Sequence, residues 1–162
     1  LRPAFAETGT ITPANSSSIS DGASALLLAS EMAAASNGLT PKARIVAHAR
    51  HSLAPESFTL APIGAVEKVL NKTGWNAKDV DLWEINEAFA MVTMLTTRAL
   101  DLDPACVNIH GGACAQGHPI GSTGSRVIVT LMHALQHYGK KRGVAALCIG
   151  GGEATAVAIE LI

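Results

Sequence analysis

Three short segments in the second half of the chain carry residues that could perform acid–base chemistry together. They are Asn86-Glu87-Ala88-Phe89, Gly117-His118-Pro119-Ile120-Gly121 and Cys148-Ile149-Gly150-Gly151-Gly152. An imidazole and a thiol can exchange protons with a reacting group, and glycines leave backbone N–H groups free to bind an oxyanion. The pattern therefore predicts one site that combines proton transfer with oxyanion stabilisation.

The positions of His118 and Cys148 within their segments predict their protonation states. A proline at the first turn favours helix entry, so His118 should lie at the positive end of a helix over residues 119–138. That placement lowers the pKa of the imidazole and favours its neutral form. Cys148 should be partly exposed, with its thiolate stabilised by backbone N–H groups and a nearby histidine. A helix-capping or core histidine is the better interpretation of His118 alone, and the neighbouring glycines and Cys148 reverse that preference.

The remaining cysteines and histidines offer weaker alternatives. Cys106 and Cys114 are interpreted as small buried hydrophobic residues, although the closeness of Cys114 to His118 makes it the most credible rival nucleophile. Two histidines lie four residues apart on a predicted helix but lack a third ligand, so no metal site is predicted. Glu87 is expected to supply charge at a helix N-terminus rather than to act as a general base.

Hydrophobic periodicity and turn residues predict strands and helices that alternate around these segments. Residues 1–22 are predicted to be loop, and strands are predicted at 23–29, 44–50, 80–85, 144–149 and 155–162. Helices are predicted at 31–36, 62–73, 88–100 and 119–138. The last two strands should form an antiparallel hairpin. The fold class is therefore α/β, with a mixed β-sheet between helical layers, and Asn86 follows a strand at the edge where such sheets bind ligands.

Composition excludes several classes of function. A chain of 162 residues with 48% hydrophobic residues and a mean hydropathy of +0.28 can build the core of one domain. The net charge of −1 and the pI near 6.6 do not indicate the basic surface that a nucleic-acid-binding protein requires. The longest apolar runs fall short of the ~20 residues that cross a membrane. Three cysteines without a pairing pattern indicate a reducing, cytoplasmic compartment.

Several motifs resemble those of the thiolases, the coenzyme A-dependent acyltransferases that make and cleave the carbon–carbon bond of 3-ketoacyl-CoA. Besides the three segments above, Asn15-Ser16-Ser17-Ser18-Ile19-Ser20-Asp21-Gly22-Ala23 is similar to the family's Asn-x-Ser-x-x-x-Asp-Gly-Ala, and Gly111-Gly112-Ala113 to its Gly-Gly-Ala. The motifs occur in the family's order, and the resemblance is to the family's C-terminal half.

The resemblance implies a thiolase-like layered fold with three parts. Residues 1–22 would be a loop of the coenzyme-binding region, 23–41 the last strand and helix of an otherwise absent N-terminal half, and 42–162 the C-terminal domain. Because the chain begins at Leu1 rather than Met, it is expected to be a piece of a longer polypeptide. The missing half would carry the family's nucleophilic cysteine, and the apolar strand at 23–29 would need a cover such as a second copy of the chain.

The resemblance also implies a role for each residue of the predicted site. His118 would activate the missing nucleophile and help to bind the thioester oxygen. Cys148 would be the acid/base that removes a proton from the acetyl-CoA methyl group and returns it during cleavage. Gly150 N–H would help to hold the acyl-enzyme oxyanion, and Asn86 would hold a water that forms the second oxyanion hole with His118.

Three further residues are implied to contact the coenzyme. Ser17 matches the serine of the Asn-x-Ser segment that touches coenzyme A in the family, and Phe89 would line the channel for the pantetheine arm. Phe58 stands where short-chain members often carry methionine, so it would lie near the same arm.

The reaction implied is that of the acetyl-CoA acetyltransferase type of thiolase. Two acetyl-CoA would be joined into acetoacetyl-CoA and coenzyme A, or the reverse, with coenzyme A thioesters as substrates and no permanently bound cofactor. The expected partners are the missing N-terminal half and further copies of the chain in a dimer or tetramer. Three alternatives stay open: a degradative 3-ketoacyl-CoA thiolase of broader chain length, a non-catalytic thiolase-like protein of the sterol-carrier kind, and a stand-alone dimerising or acyl-CoA-binding module.

Overall fold

A computed structural model describes residues 1–162 and contains one four-stranded sheet. Its strands are β1 (Ala43–Ser52), β2 (Leu82–Ile85), β3 (Arg142–Ile149) and β4 (Glu153–Leu161), in the spatial order β1-β4-β3-β2. β2 and β3 are parallel, whereas β3 with β4 and β4 with β1 are antiparallel. The predicted mixed sheet and the predicted terminal hairpin are both confirmed.

Five helices accompany the sheet: α1 (Glu31–Ser36), α2 (Ala61–Thr73), α3 (Ala90–Ala99), α4 (Ala113–Gln116) and α5 (Thr123–His137). The predicted bounds of α1 are confirmed, and those of α2 are correct to within one residue. No helix is both long enough and apolar enough to cross a lipid bilayer.

Helices cover both faces of the sheet. Alternate residues of β3 point to opposite faces, so Val144 and Ala146 join one apolar cluster and Ala145 joins the other. On the first face, α2 contributes Val66 and Val69. On the second face, α5 contributes a stripe with a spacing of four residues, Val127, Leu131 and Leu135. The predicted arrangement of a sheet between helical layers is therefore confirmed.

The strand predicted at residues 23–29 does not form within this chain. The segment has no strand partner in the chain, and Leu27 and Leu28 are 82% and 69% exposed. A strand needs a neighbour to accept its backbone hydrogen bonds, and an apolar sequence alone does not provide one. The segment instead runs extended past α5, where Ser24 Oγ lies 2.6 Å from both Ser122 Oγ and Ser125 Oγ.

The long C-terminal helix begins later than predicted. α5 starts at Thr123 rather than near Pro119, because residues 119–122 form a turn in which the Pro119 carbonyl accepts from the Ser122 and Thr123 N–H groups. His118 is therefore separated from the helix by a turn. The predicted loop over residues 1–22 is confirmed apart from one short 3-10 turn, Pro13–Asn15.

Candidate active site

The carboxyl ends of the parallel strands β2 and β3 bring two of the predicted residues to the same edge of the sheet. Ile85 pairs with Ala146, and the Asn86 N–H donates to the Ala146 carbonyl at 2.9 Å. Asn86 follows β2 directly, and Cys148 lies two residues beyond Ala146 on β3. Asn86 is 1% exposed and Cys148 is 8% exposed, so both side chains lie in the interior.

His118 reaches the same edge from the turn before α5. Its backbone is held by the N-terminal loop, because the His118 N–H donates to the Ser18 carbonyl at 3.0 Å. Its ring lies between Asn86 and α5: Nε2 is 3.5 Å from Asn86 Nδ2, and Nδ1 is 2.7 Å from Thr123 Oγ1. The structure therefore brings His118 and Asn86 together.

The contacts of Thr123 determine which ring nitrogen of His118 carries the proton. The single hydroxyl proton of Thr123 is donated to the Pro119 carbonyl at 3.0 Å, so its oxygen is left to accept from His118 Nδ1–H. Nε2 then holds the lone pair and faces the Asn86 amide. An imidazole in this tautomer presents a proton acceptor, Nε2, to the interior of the site.

The predicted neutral state of His118 agrees with its surroundings, but the cause is different. Burial lowers the pKa of the imidazole, and the nearby positive charge of Arg126 lowers it further. The helix dipole expected from Pro119 is not the source, because α5 begins only at Thr123.

Cys148 differs from its prediction in exposure and protonation. The thiol is buried rather than partly exposed, and burial raises its pKa above the ordinary value. A desolvated thiolate is unfavourable unless a charge compensates it, so the resting side chain is a neutral thiol. A neutral thiol donates a proton before it can accept one.

Cys114 is an unsuitable nucleophile. Its pKa is raised to about 11 by burial and by the neighbouring Glu87 carboxylate. That carboxylate accepts from the Cys114 N–H at 3.1 Å at the start of α4, and the approach is possible because Gly112 has no side chain in its path. The expectation that Glu87 serves a helix N-terminus is confirmed, with α4 as the helix.

Gly150 lies in the three-residue turn that joins β3 to β4, two residues beyond Cys148. Its backbone N–H donates to no group of this chain, and no atom occupies the space beside its Cα. The turn itself depends on Gly152, which has a φ of +91° and passes against the Leu53 carbonyl where a Cβ would not fit. Gly150 therefore presents a free donor next to Cys148.

The three residues predicted to contact the coenzyme form a connected group. Ser17 donates from its hydroxyl and its N–H to the Ala88 carbonyl, at 3.0 and 3.2 Å, directly beside Phe89. Phe58 packs edge-on against Phe89 with ring centroids 6.3 Å apart. Both rings pack against the apolar cluster that contains Cys148.

Asn108 is a positioning residue that the sequence analysis missed. Its side-chain amide pairs with the backbone of Ile85 in both directions, since Oδ1 accepts from Ile85 N and Nδ2 donates to Ile85 O, each at 2.8 Å. Asn108 thus replaces a neighbouring strand at the end of β2 and fixes the chain just before Asn86. Its φ of 48° is one that asparagine tolerates. In the sequence, this role was indicated only by an asparagine between two apolar residues, Val107 and Ile109.

Glu84 is a second missed residue, and its signal was a charge inside an otherwise apolar strand. The side chain is 2% exposed, and burial raises the pKa of the carboxyl to about 7, with the Arg126 charge opposing that rise and the Glu87 charge adding to it. Glu84 shares its face of β2 with Leu82, which packs in the α5 cluster.

Replacement of Glu84 by glutamine should make the stability of the chain less dependent on pH. Between the ordinary pKa of 4.5 and the raised value of about 7, the folded chain binds more protons than the unfolded chain, so stability falls as pH rises. From pH 5 to pH 8 the wild type should lose roughly 2 to 3 kcal/mol relative to Glu84→Gln. Urea denaturation at both pH values measures the difference. The exposed Glu31→Gln variant is the control, and a pH-independent difference for Glu84→Gln would contradict the prediction.

Comparison with protein families identifies the chain. The model for the thiolase C-terminal domain matches residues 39–161, and the model for the thiolase N-terminal domain matches residues 1–32. The chain belongs to the thiolase family. Residues 39–161, which carry the geometry above apart from the contacts of the N-terminal loop, match the thiolase C-terminal domain.

Curated relatives of this thiolase chain are named as acetyl-CoA acetyltransferases. A probable acetyl-CoA acetyltransferase of Dictyostelium discoideum is 51% identical over 160 residues, which is 99% of this chain and 39% of the relative. The cytosolic acetyl-CoA acetyltransferase of Mus musculus is 47% identical over 162 residues, which is 99% of this chain and 41% of the relative. The chain thus spans about two fifths of the length of the relatives it matches.

Solved thiolase structures match the fold over the whole chain. The acetyl-CoA acetyltransferase of Bacillus anthracis superposes with a TM-score of 0.97 at 42% identity and covers 100% of this chain and 41% of that one. The Acat5 thiolase of Ascaris suum in complex with coenzyme A superposes with a TM-score of 0.91 at 41% identity, covering 100% and 42%. The predicted thiolase-like layered fold is therefore confirmed.

Proposed function

We propose that this chain is the acid–base half of an acetyl-CoA acetyltransferase, which condenses two acetyl-CoA into acetoacetyl-CoA and coenzyme A or catalyses the reverse thiolysis. The observation that carries the proposal is the contact of 3.5 Å between His118 Nε2 and Asn86 Nδ2, at the sheet edge where Cys148 lies in the last two residues of β3. The names of the relatives and the coenzyme A bound to the Ascaris suum thiolase support the choice of substrate.

The first half of the reaction uses His118 as a base and Cys148 as an acid. His118 Nε2, which carries the lone pair, accepts the proton of a cysteine in the part of the N-terminal domain that precedes this chain. The resulting thiolate attacks the acetyl-CoA carbonyl, the carbon–sulfur bond to coenzyme A breaks, and the neutral Cys148 thiol protonates the departing thiolate. The raised pKa of Cys148 supports this assignment, because the thiol keeps its proton until that step.

The second half begins with the Cys148 thiolate that the first half leaves behind. It removes a proton from the methyl group of a second acetyl-CoA, and the enolate carbon attacks the acetyl group on the nucleophile. The carbon–sulfur bond to the nucleophilic cysteine then breaks, and its departing thiolate takes back the proton held by His118. The enolate oxygen is held by the protonated His118 Nε2 and by a water on Asn86, while the free Gly150 N–H serves the oxyanion of the acyl-enzyme. Phe58, Phe89 and Ser17 form one group that would receive the pantetheine arm.

The proposal includes the assembly and the location of the protein. Residues 1–22 would belong to the coenzyme-binding loop region, residues 23–41 would complete the N-terminal half, and residues 42–162 would form the C-terminal domain. The exposed apolar side chains of Leu27, Leu28 and Met32 support a cover formed by that half and by a second copy in a dimer or tetramer. A cytoplasmic location is supported by three free cysteines and by the cytosolic relative from Mus musculus.

A fused enzyme tests the proposal. It consists of this chain joined to the part of the Bacillus anthracis acetyl-CoA acetyltransferase that precedes the matched region. We expect the fused enzyme to convert acetoacetyl-CoA and coenzyme A into acetyl-CoA, measured by chromatography, at a kcat within the ordinary range of about 1–1000 s⁻¹.

The 162-residue chain alone should yield no acetyl-CoA from the same substrates, because the proposed nucleophile belongs to the N-terminal half. The Bacillus anthracis part alone is the matched control and should also be inactive. Inactivity of a folded fused enzyme would contradict the proposed function, and turnover by the chain alone would identify Cys114 or Cys148 as a nucleophile.

A further inference from the structure

Arg126 is the charged side chain in direct contact with Asn86. It lies in the first turn of α5, and its Nη2 donates to Asn86 Oδ1 at 3.1 Å. Its Nη1 donates to Gln116 Oε1 at 3.5 Å. The Gln116 amide is itself fixed, because its Nε2 donates to the His110 and Gly111 carbonyls at 2.8 and 2.9 Å. The guanidinium is therefore held between two amide oxygens.

The contact with Arg126 decides which way the Asn86 amide points. A guanidinium has donors only, so the atom of Asn86 that it touches must be the oxygen. With Oδ1 turned to Arg126, Nδ2 is turned to His118 Nε2, the nitrogen that holds the lone pair. Without the guanidinium, the amide could rotate by 180° and place its oxygen against that lone pair.

The negative charge of Glu84 also favours the position of the Arg126 guanidinium. Glu84 lies on β2 and Arg126 on α5, and their charges attract each other although no ion pair within 4 Å joins them. Arg126 Nε is buried and has no hydrogen-bond partner, so the guanidinium depends on its two amide contacts and on this longer-range attraction. An arginine in such a place costs solvation, and a functional requirement is a reason to keep it.

We propose that Arg126 is a positioning residue, whose guanidinium fixes the Asn86 amide with Nδ2 directed at His118. The inference rests on the proposed function of the His118–Asn86 pair. Arg126 does not touch the reacting atoms. At pH 8, above the range in which His118 takes up a proton, its effect on kcat therefore passes through Asn86.

A double-mutant cycle in the fused enzyme tests this dependence. Arg126→Gln should lower kcat for thiolysis by about 10- to 100-fold, because displacement of a catalytic group has effects of that size, and it should change KM by less than about 2-fold. In the background of Asn86→Ala, the same Arg126→Gln substitution should lower kcat no further. An equal loss in both backgrounds would show that Arg126 acts independently of Asn86 and would overturn the inference.

Two further variants separate positioning from general structural damage. Arg126→Lys keeps one charged donor and should recover part of the kcat lost in Arg126→Gln. Arg142→Gln removes a partly exposed arginine at the opposite end of β3 and should leave kcat unchanged. A kcat for Arg126→Lys no higher than that for Arg126→Gln would contradict the proposed contact.

A structural measurement tests the role of Arg126 without requiring catalytic turnover, so it separates this inference from the proposed function. In neutron crystal structures of the deuterated fused enzyme, which distinguish a deuterated amide nitrogen from the oxygen, Asn86 Nδ2 should face His118 Nε2 with Arg126 present, and Oδ1 should face it in Arg126→Gln. An Asn86 amide that keeps Nδ2 towards His118 in Arg126→Gln would overturn the inference. If the fused enzyme with the native chain proves inactive, the proposed function fails, and the crystal structures still decide the role of Arg126.

Discussion

Replacement of Cys148 by alanine in the fused enzyme should lower kcat for thiolysis of acetoacetyl-CoA by about 100- to 10,000-fold, the range for loss of a general acid–base group. The reason is that the buried thiol both protonates the departing coenzyme A and, as a thiolate, removes the methyl proton. KM should change little, because the side chain packs within the apolar cluster and is too small to bind much of the substrate. Chromatographic assay of acetyl-CoA measures the loss.

Deuterium exchange isolates the same step from the rest of turnover. In heavy water, the fused enzyme should incorporate deuterium into the methyl group of acetyl-CoA, and Cys148→Ala should abolish the incorporation. Cys114→Ala is the matched control and should leave both kcat and exchange unchanged, since burial and the Glu87 carboxylate keep its thiol protonated with a pKa of about 11. Undiminished exchange in Cys148→Ala would remove Cys148 from the mechanism.

Much of the fold could be predicted because its signals are local. α2 combines apolar residues at helical spacing with Gly74 at its end, and the β3–β4 hairpin combines two β-rich runs with three glycines. Asn86, His118 and Cys148 could be located in the same way, since each stands near the beginning or the end of a periodic segment. Local patterns therefore indicate where a site lies along the chain.

Contacts between distant segments could not be predicted from those patterns. The Arg126–Asn86 bond spans 40 residues and the Asn108–Ile85 pairing spans 23. The late start of α5 depends on how the Pro119 carbonyl is shared within its turn. The burial of Cys148 follows from packing of α2 and α3 on the sheet, which the strand sequence does not specify.

Polar residues within apolar patterns were the clearest missed signal. Thr123 continues the spacing of Val127, Leu131 and Leu135 by one turn, so a hydroxyl occupies the core-facing stripe of α5. Glu84 likewise interrupts an apolar strand. Buried polar groups require partners, and in this protein the partner of Thr123 is the ring of His118. Such interruptions indicate positioning residues even when the site itself is known.

Replacement of His118 by alanine should have the largest effect, lowering kcat/KM of the fused enzyme by at least about 1000-fold, since both a base and an oxyanion donor are lost. His137→Ala, on the exposed C-terminal turn of α5, is the control and should leave kcat/KM unchanged.

The pH dependence of kcat/KM should identify the same imidazole, because the reaction begins with neutral His118. Burial and the Arg126 charge lower its pKa below the ordinary 6.5, so the neutral form persists as the pH falls through 6.5. Activity should therefore stay level from pH 8 to about 6.5 and decline only below that value. Arg126→Gln removes the positive charge that opposes protonation of the ring and should move the decline to higher pH. A decline centred above pH 7 in the native fused enzyme would contradict the assignment of His118 as the base.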